Sequence, residues 1–283
     1  MLDDHQSQKV SEGSQAFQAG RDLTIIGPSV TEIRELCSLF LRDNFPKLRE
    51  EARQTAEAHV RKFAQELETT LTDNIHRLII DKFSDPDVQA TINDAVQATA
   101  RKGDSANSDL LALLIMNRVS ADCDSFKEIV FAEAVKVAPK LTREQIAFLA
   151  LVLCVYTFQF NVATPEELER YSKICLEFCA PAFGLSESKR QHLQYTGVAS
   201  VAGRGSVVAR REMYGNMASK YADRGWGDFR FVVTQRVPSL AILIEEYSKN
   251  NCDGVEVTSV GMAVAVAYFS QYLGPLDFSM WIN

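Results

Sequence analysis

From Phe45 to Leu78 the apolar residues step by three or four: Phe45, Leu48, Ala52, Ala56, Val60, Phe63, Leu67, Leu71, Ile75 and Leu78. That rhythm lays one apolar stripe along an α-helix and does not fit the two-residue alternation of a strand. Phe45, Ala56, Leu67 and Leu78 are each eleven apart. An eleven-residue repeat averages about 3.67 residues per turn, which favours a straight or slightly right-handed helix over a heptad coil. The expected element is a rod of about 35 residues and about 50 Å. Such a stripe must be buried against other helices. The expected fold is therefore mainly α: a multi-helix globular protein with a long N-terminal helical rod, a short N-terminal β-strand arm and a small strand near the C-terminus.

Start and stop signals divide the rest. Ser29 or Thr31 can cap a first helix with Ile33, Leu36, Cys37, Phe40 and Leu41 on one face, and Pro46 breaks it. Ser84-Asp85-Pro86 ends the rod and opens an Ala-rich helix over 88–100, stopped at Lys102-Gly103-Asp104. Helices are expected over 110–119 and 126–137, the second ended by Pro139. Thr142 and Gln145 are spaced as a capping box, and Thr164-Pro165-Glu166-Glu167 is another helix start. A short helix over 186–193 follows. The stretch 197–205, GVASVAGRG, reads as small and flexible, before a helical pattern over 207–221 and a tight loop at 224–227. A helix over 238–247, a turn at 250–254, a strand from Val255 and a helix capped at Thr258 complete the chain. Three parts are expected: a polar tail and strand arm over 1–28, a helical domain with the long helix over 29–195, and a C-terminal helical subdomain over 196–283.

The arm is the segment FQAGRDLTIIG, residues 17–27. Phe17, Ala19, Leu23 and Ile25 fall on one side of an extended strand; Gln18, Asp22 and Thr24 fall on the other. A lone short strand cannot satisfy its own backbone N–H and C=O groups. No partner strand lies nearby in the sequence, so pairing with a second copy is expected, with Phe17, Leu23 and Ile25 as self-association residues.

Several function classes are disfavoured. A net charge of −7 and a pI near 5.3 argue against a general nucleic-acid binder, whose footprint is basic. Residues 145–165 carry no charge. The run approaches the roughly 20 apolar residues of a membrane span, but Thr157, Gln159 and Asn161 interrupt it and favour a buried central helix. No membrane contact is expected. The opening MLDDHQSQKV lacks the layout of a signal peptide, which points to the cytoplasm. The six cysteines (37, 123, 154, 175, 179 and 252) form no C-x-x-C pair and read as buried free thiols. The histidines (5, 59, 76 and 192) show no ligand spacing, so no metal is expected; His59 and His76 fall on the rod about 25 Å apart.

No serine occupies a G-x-S-x-G elbow and no zinc-protease signature is present. No catalytic residue and no cofactor is expected. Gly203-Arg-Gly205-Ser206 could cradle a phosphate, but lacks Walker spacing and its lysine, and a flexible loop is the simpler reading. Arg210-Arg211 and Lys189-Arg190 could form a basic patch, though such pairs are usually a solvated face. Trp226, with Arg224 beside it, is a possible partner contact, with local packing as the commoner role.

Five landmarks resemble one uncharacterised bacterial family known by locus-tag names. They are QAGRDLTI at 18–25, the helix TEIREL…FLRDNFPKL at 31–48, SDPDVQ at 84–89, EAVKVAPKLTREQIAFL at 133–149, and the closing VTSVGMAVAVAYF…DFSMWI at 257–282. The resemblance spans most of 15–283 and implies a cytoplasmic, mostly helical bacterial protein without assigning an activity. The first element is also similar to short N-terminal strands of proteins from phage-defence or conflict systems. The favoured function is a non-enzymatic, self-assembling scaffold or regulatory interaction protein, a homo-oligomer with an unknown protein partner. The alternatives are a component of a bacterial phage-defence system, and an enzyme with a cryptic site near residues 197–230.

Overall fold

Two helices that are apolar on every side, α6 (Arg143–Tyr156) and α11 (Ser259–Leu273), form the centre around which the others are arranged. A computed structural model describes residues 30–45, 50–202, 215, 217–274 and 276. The arm with Phe17, Leu23 and Ile25, the 203–206 loop, Arg210-Arg211 and the closing 277–282 lie outside the described residues. The fold is mainly α, with one small sheet among the described residues. In order come α1 (Val30–Asn44), α2 (Glu50–Asp73), α3 (Pro86–Lys102), α4 (Ser108–Arg118), α5 (Ser125–Val137), α6, α7 (Pro165–Cys179), α8 (Glu187–Tyr195), β1 (Ala199–Val201), α9 (Phe229–Arg236), α10 (Pro238–Lys249), β2 (Val255–Val257) and α11.

Residues 145–155 of α6 are all buried. Helix α11 packs against α6, α5 and α4, with every residue from Ala263 to Phe269 buried. An amphipathic stripe would not suffice at such a position, because neighbours surround the helix. Gly261 sets how closely α11 approaches: a Cβ there would lie 2.0 Å from the backbone oxygen of Val198. No helix among the described residues is long and apolar enough to cross a membrane. All six cysteines are buried and unpaired.

The long rod is shorter than its periodicity suggests. Helix α2 has 24 residues, about 36 Å, and buries Ala56, Val60, Phe63, Ala64, Leu67 and Leu71 against α1, α3 and α4. Beyond Asp73 the chain makes two 3-10 turns, Ile75–Arg77 and Ile80–Ser84. Leu78 forms an antiparallel bridge with Ser120, and Ile79 N–H donates to the Val119 carbonyl at 3.0 Å. Pairing with the α4–α5 connection replaces the next helical turns, so His76 does not stand on the helix that carries His59. Leu78 still faces the core, and a three-to-four spacing cannot distinguish these geometries.

The expected flexible stretch after Gly197 also needs correction. Ala199, Ser200 and Val201 form β1, antiparallel to β2, in register Ala199↔Val257, Ser200↔Glu256 and Val201↔Val255. Three residues carry too little alternation to reveal a strand, and its partner is far along the chain. The expected boundary near residue 195 falls between α8 and β1, and the apolar core runs continuously past it, from Ile33 to Phe269.

Predicted caps fix many helix starts. The Asp85 carboxylate accepts from Asp87 N–H at 2.8 Å, with Pro86 at the first position of α3. Capping boxes form at Thr142/Gln145 and Thr164/Glu167, and the Thr258 hydroxyl accepts from Gly261 N–H at 3.2 Å. These bonds satisfy first-turn N–H groups that have no intrahelical acceptor.

A charged cleft at the starts of two helices as the candidate functional site

The starts of α4 and α6 are tied together by one side chain. Asn107 has a left-handed backbone (φ 59°) and immediately precedes α4. Its Nδ2 donates to the carbonyls of Ala138 and Leu141, at 3.2 and 3.4 Å, in the connection leading into α6. Just before it, Gly103 takes φ +55°, and a Cβ there would lie 2.7 Å from Nε2 of His59. Only glycine gives this turn at little cost while α2 lies so close. The result is a cleft of about 780 Å³ lined from α2, the 102–110 and 139–146 segments, Lys189 of α8, and Tyr268, Gln271 and Tyr272 of α11.

Five cations line this cleft: Lys62, Lys102, Lys140, Arg143 and Lys189. Lys62 Nζ lies 2.6 Å from Asp104 Oδ1 and 4.0 Å from Glu66. The hydrogen bond raises the Lys62 pKa and lowers that of Asp104. Lys189 faces Glu144 at 3.6 Å, and Glu144 is held below the usual carboxylate range chiefly by the Thr142 side chain. Lys102 Nζ donates to the Pro139 carbonyl at 2.6 Å, a neutral partner. Arg143 Nη2 donates to the Tyr272 hydroxyl at 3.3 Å. Its guanidinium pKa is raised, first by hydrogen bonding to Tyr268. Burial pushes the Tyr268 phenol up, and its hydroxyl donates to the Phe178 carbonyl at 3.1 Å.

A second hollow of about 410 Å³ adjoins the first between α2 and α11, and shares Lys62, Glu66, Asp109 and Gln271 with it. Here Glu66 Oε2 and Gln271 Nε2 are buried without a hydrogen-bond partner among the described residues. The cleft thus sets five cations among the carboxylates of Glu66, Asp104, Asp109 and Glu144, with an inner end offering one free acceptor and one free donor. This arrangement is suited to holding a polar ligand.

The residues singled out in the sequence lie elsewhere. Trp226 is half-buried, donates from Nε1 to the Ala163 carbonyl at 3.1 Å and stacks on Tyr221 at 5.5 Å. Arg224 donates to Asn161 Oδ1 at 3.1 Å. Both fasten the 224–227 loop to the chain's own 161–163 segment. In the described part of 197–230, Met217, Tyr221 and Phe229 are buried, and Tyr221 also stacks on Phe229 at 5.6 Å. Of the expected basic patch, Lys189 reaches the cleft, whereas Arg190 pairs with Glu187 and donates to the Asn250 carbonyl at 2.6 Å.

Sequence reasoning missed the cleft because its cations come from α2, the α3 end, the turn before α6, α6 itself and α8. No local spacing joins them. The usable signal was Thr142/Gln145, which locates the start of α6 without showing what faces it.

A family model described only by a locus-tag "-like" label matches residues 27–226. The match covers more than half of the chain, which therefore belongs to that family. It includes all five cleft cations but stops before Tyr268, Gln271 and Tyr272. No curated protein matches the chain, and no solved structure does.

Proposed function

We propose that this family member is a non-enzymatic scaffold or regulatory interaction protein that self-associates through residues 17–27. The observation that carries the reading is the contrast between its reactive groups and its contact groups. Burial raises the thiol pKa values of Cys37, Cys123, Cys179 and Cys252. A thiol kept protonated is a poor nucleophile. Large apolar side chains meanwhile face outward. Phe126 and Ile129, 46% and 64% exposed, stand one turn apart on α5, and Phe231 on α9 is 65% exposed. Phe126 and Ile129 share one helix face, which supplies contact surface without chemistry. The alternating Phe17, Leu23 and Ile25 would add backbone pairing between copies, since a strand needs a partner for its N–H and C=O groups.

The test is the solution mass of the full chain beside a Leu23→Lys/Ile25→Lys variant. The expected outcome is an oligomer for the native chain at micromolar concentration and a monomer for the variant. A native chain that is strictly monomeric would remove the self-assembly reading.

A further inference from the structure

We propose that the charged cleft binds a phosphorylated organic small molecule, with its phosphate on Lys140, Arg143 and Lys102 and its polar body in the hollow beside Glu66 and Gln271. Three independent features meet at the mouth. Helices α4 and α6, of 11 and 14 residues, both begin there. Both helices therefore turn the positive ends of their dipoles toward the mouth, which favours an anion there. First-turn N–H groups are already taken within the chain, Leu110 N–H by Asp109 Oδ1 at 2.9 Å and Gln145 N–H by the Thr142 hydroxyl at 3.4 Å, so the helix starts contribute chiefly their dipoles.

Charge pairing leaves the right residues for an anion. Asp104 is taken by Lys62 at 2.6 Å, and Glu144 has Lys189 at 3.6 Å. Asp109, which also lines the cleft at the start of α4, accepts from Leu110 N–H at 2.9 Å, and with Glu66 five cations face four carboxylates. Lys102 is held on a backbone carbonyl and Arg143 on tyrosine hydroxyls, neutral partners that leave both positive charges for a ligand. An arginine can also grip a phosphate through two parallel N–H groups.

The inner hollow distinguishes an organic phosphate from a free anion. Glu66 Oε2 is a buried acceptor without a donor, and Gln271 Nε2 a buried donor without an acceptor. Leaving either unmet costs stability, and an anion alone would be repelled by Glu66. A body carrying hydroxyl or amino groups beside a carbonyl or ring nitrogen, as in a sugar phosphate or a nucleotide, would satisfy both. The cleft's volume of about 780 Å³ lies within the range of small-ligand pockets.

The experiment is calorimetric titration of the full chain with ribose 5-phosphate, adenosine 5′-monophosphate, inorganic phosphate and adenosine. The expected result is binding of at least one organic phosphate below 1 mM, with inorganic phosphate and adenosine at least tenfold weaker. Arg143→Gln and Lys140→Gln, both on exposed side chains, should each weaken that ligand at least tenfold. Glu66→Gln should weaken it while leaving inorganic phosphate unchanged. The proposal is overturned if neither organic phosphate binds at 1 mM. It is equally overturned if adenosine or inorganic phosphate binds as tightly, or if Arg143→Gln and Lys140→Gln leave affinity unchanged. None of these readouts depends on oligomeric state, so they are separable from the assembly reading.

Discussion

The two ends of α6 are built from the same helix and treat polar groups in opposite ways. At its start, Arg143 and Glu144 face the cleft with Lys140 and Lys189, and beyond the capping box the charged side chains stand open to the cleft. At its far end, about 16 Å away, Cys154 hydrogen-bonds to Cys175, which raises the Cys175 pKa ahead of burial itself. Phe158 meets Phe269 at 4.3 Å. Lys220 donates to the Tyr156 and Phe158 carbonyls at 2.7 and 3.1 Å, placing a cation on the negative end of the helix. Burial lowers the Lys220 pKa, while the carbonyls accept its protons. The sealed end spends its polar groups on packing; the open end leaves them for something outside the chain. Stability should reside in the first and ligand response in the second.

The comparison breaks if substitutions in the sealed interior are cheap. Phe148, fully buried in the middle of α6, should lose about 3–5 kcal/mol on conversion to alanine, read from urea denaturation. Gly261→Ala should be of similar severity, because its methyl group would lie 2.0 Å from a backbone oxygen that cannot swing away; overpacking commonly costs about 1–3 kcal/mol and occasionally more. A change below about 1 kcal/mol at both sites would show that α6 and α11 are not the packed centre.

Alkali should weaken the interior next. An unfolded thiol releases its proton near pH 9.0, whereas burial holds the Cys37 and Cys123 protons to about 12 and about 11. Burial likewise pushes the Tyr221 phenol from 10.0 up to about 12. Folding therefore favours the protonated forms. Their contribution is fully present below the unfolded pKa values and declines as pH rises toward the folded ones. Each such thiol should reduce stability by up to about 1.4 kcal/mol per pH unit between pH 9 and 11. Melting temperatures measured from pH 8 to 11 should fall, and Cys37→Ala/Cys123→Ala should flatten that slope. A curve that is flat to pH 11 in the native chain would show thiols that already reach solvent.

This division was only half legible in the sequence. The sealed interior was readable, because the apolar run over 146–155 must lie in membrane or in core, and the Thr142/Gln145 box located its beginning. The caps at Asp85, Thr164 and Thr258 were readable for the same local reason. The end of α2 was not, since Ile75 and Leu78 continue the helical rhythm after the backbone has left the helix to pair with Val119 and Ser120. Strand β1 was hidden among small residues. The open end was invisible, because Lys62, Lys140, Arg143 and Gln271 become neighbours only when α2, α6 and α11 pack. Local chemistry is written in short spacings, whereas a cleft between helices is a property of the assembled helices.

The smallest expected effects lie at the open end and sharpen the contrast most. Thr142→Ala removes one side of the capping box and should cost about 1 kcal/mol, a penalty confined to the first turn of α6. Lys140→Gln should leave the melting temperature of the unliganded chain unchanged within error, because its side chain is exposed and it anchors no element. Arg143→Gln gives up only a hydrogen bond to the exposed Tyr272 and one to Tyr268, so its shift should be far smaller than that of Phe148→Ala. Differential scanning fluorimetry of the three variants beside the native chain reads all of these at once. If Lys140→Gln or Arg143→Gln melted as early as Phe148→Ala, the cations would be part of the scaffold. A near-native melting point would place their role in what the cleft receives, because groups that contribute nothing to folding are free to be tuned for a ligand.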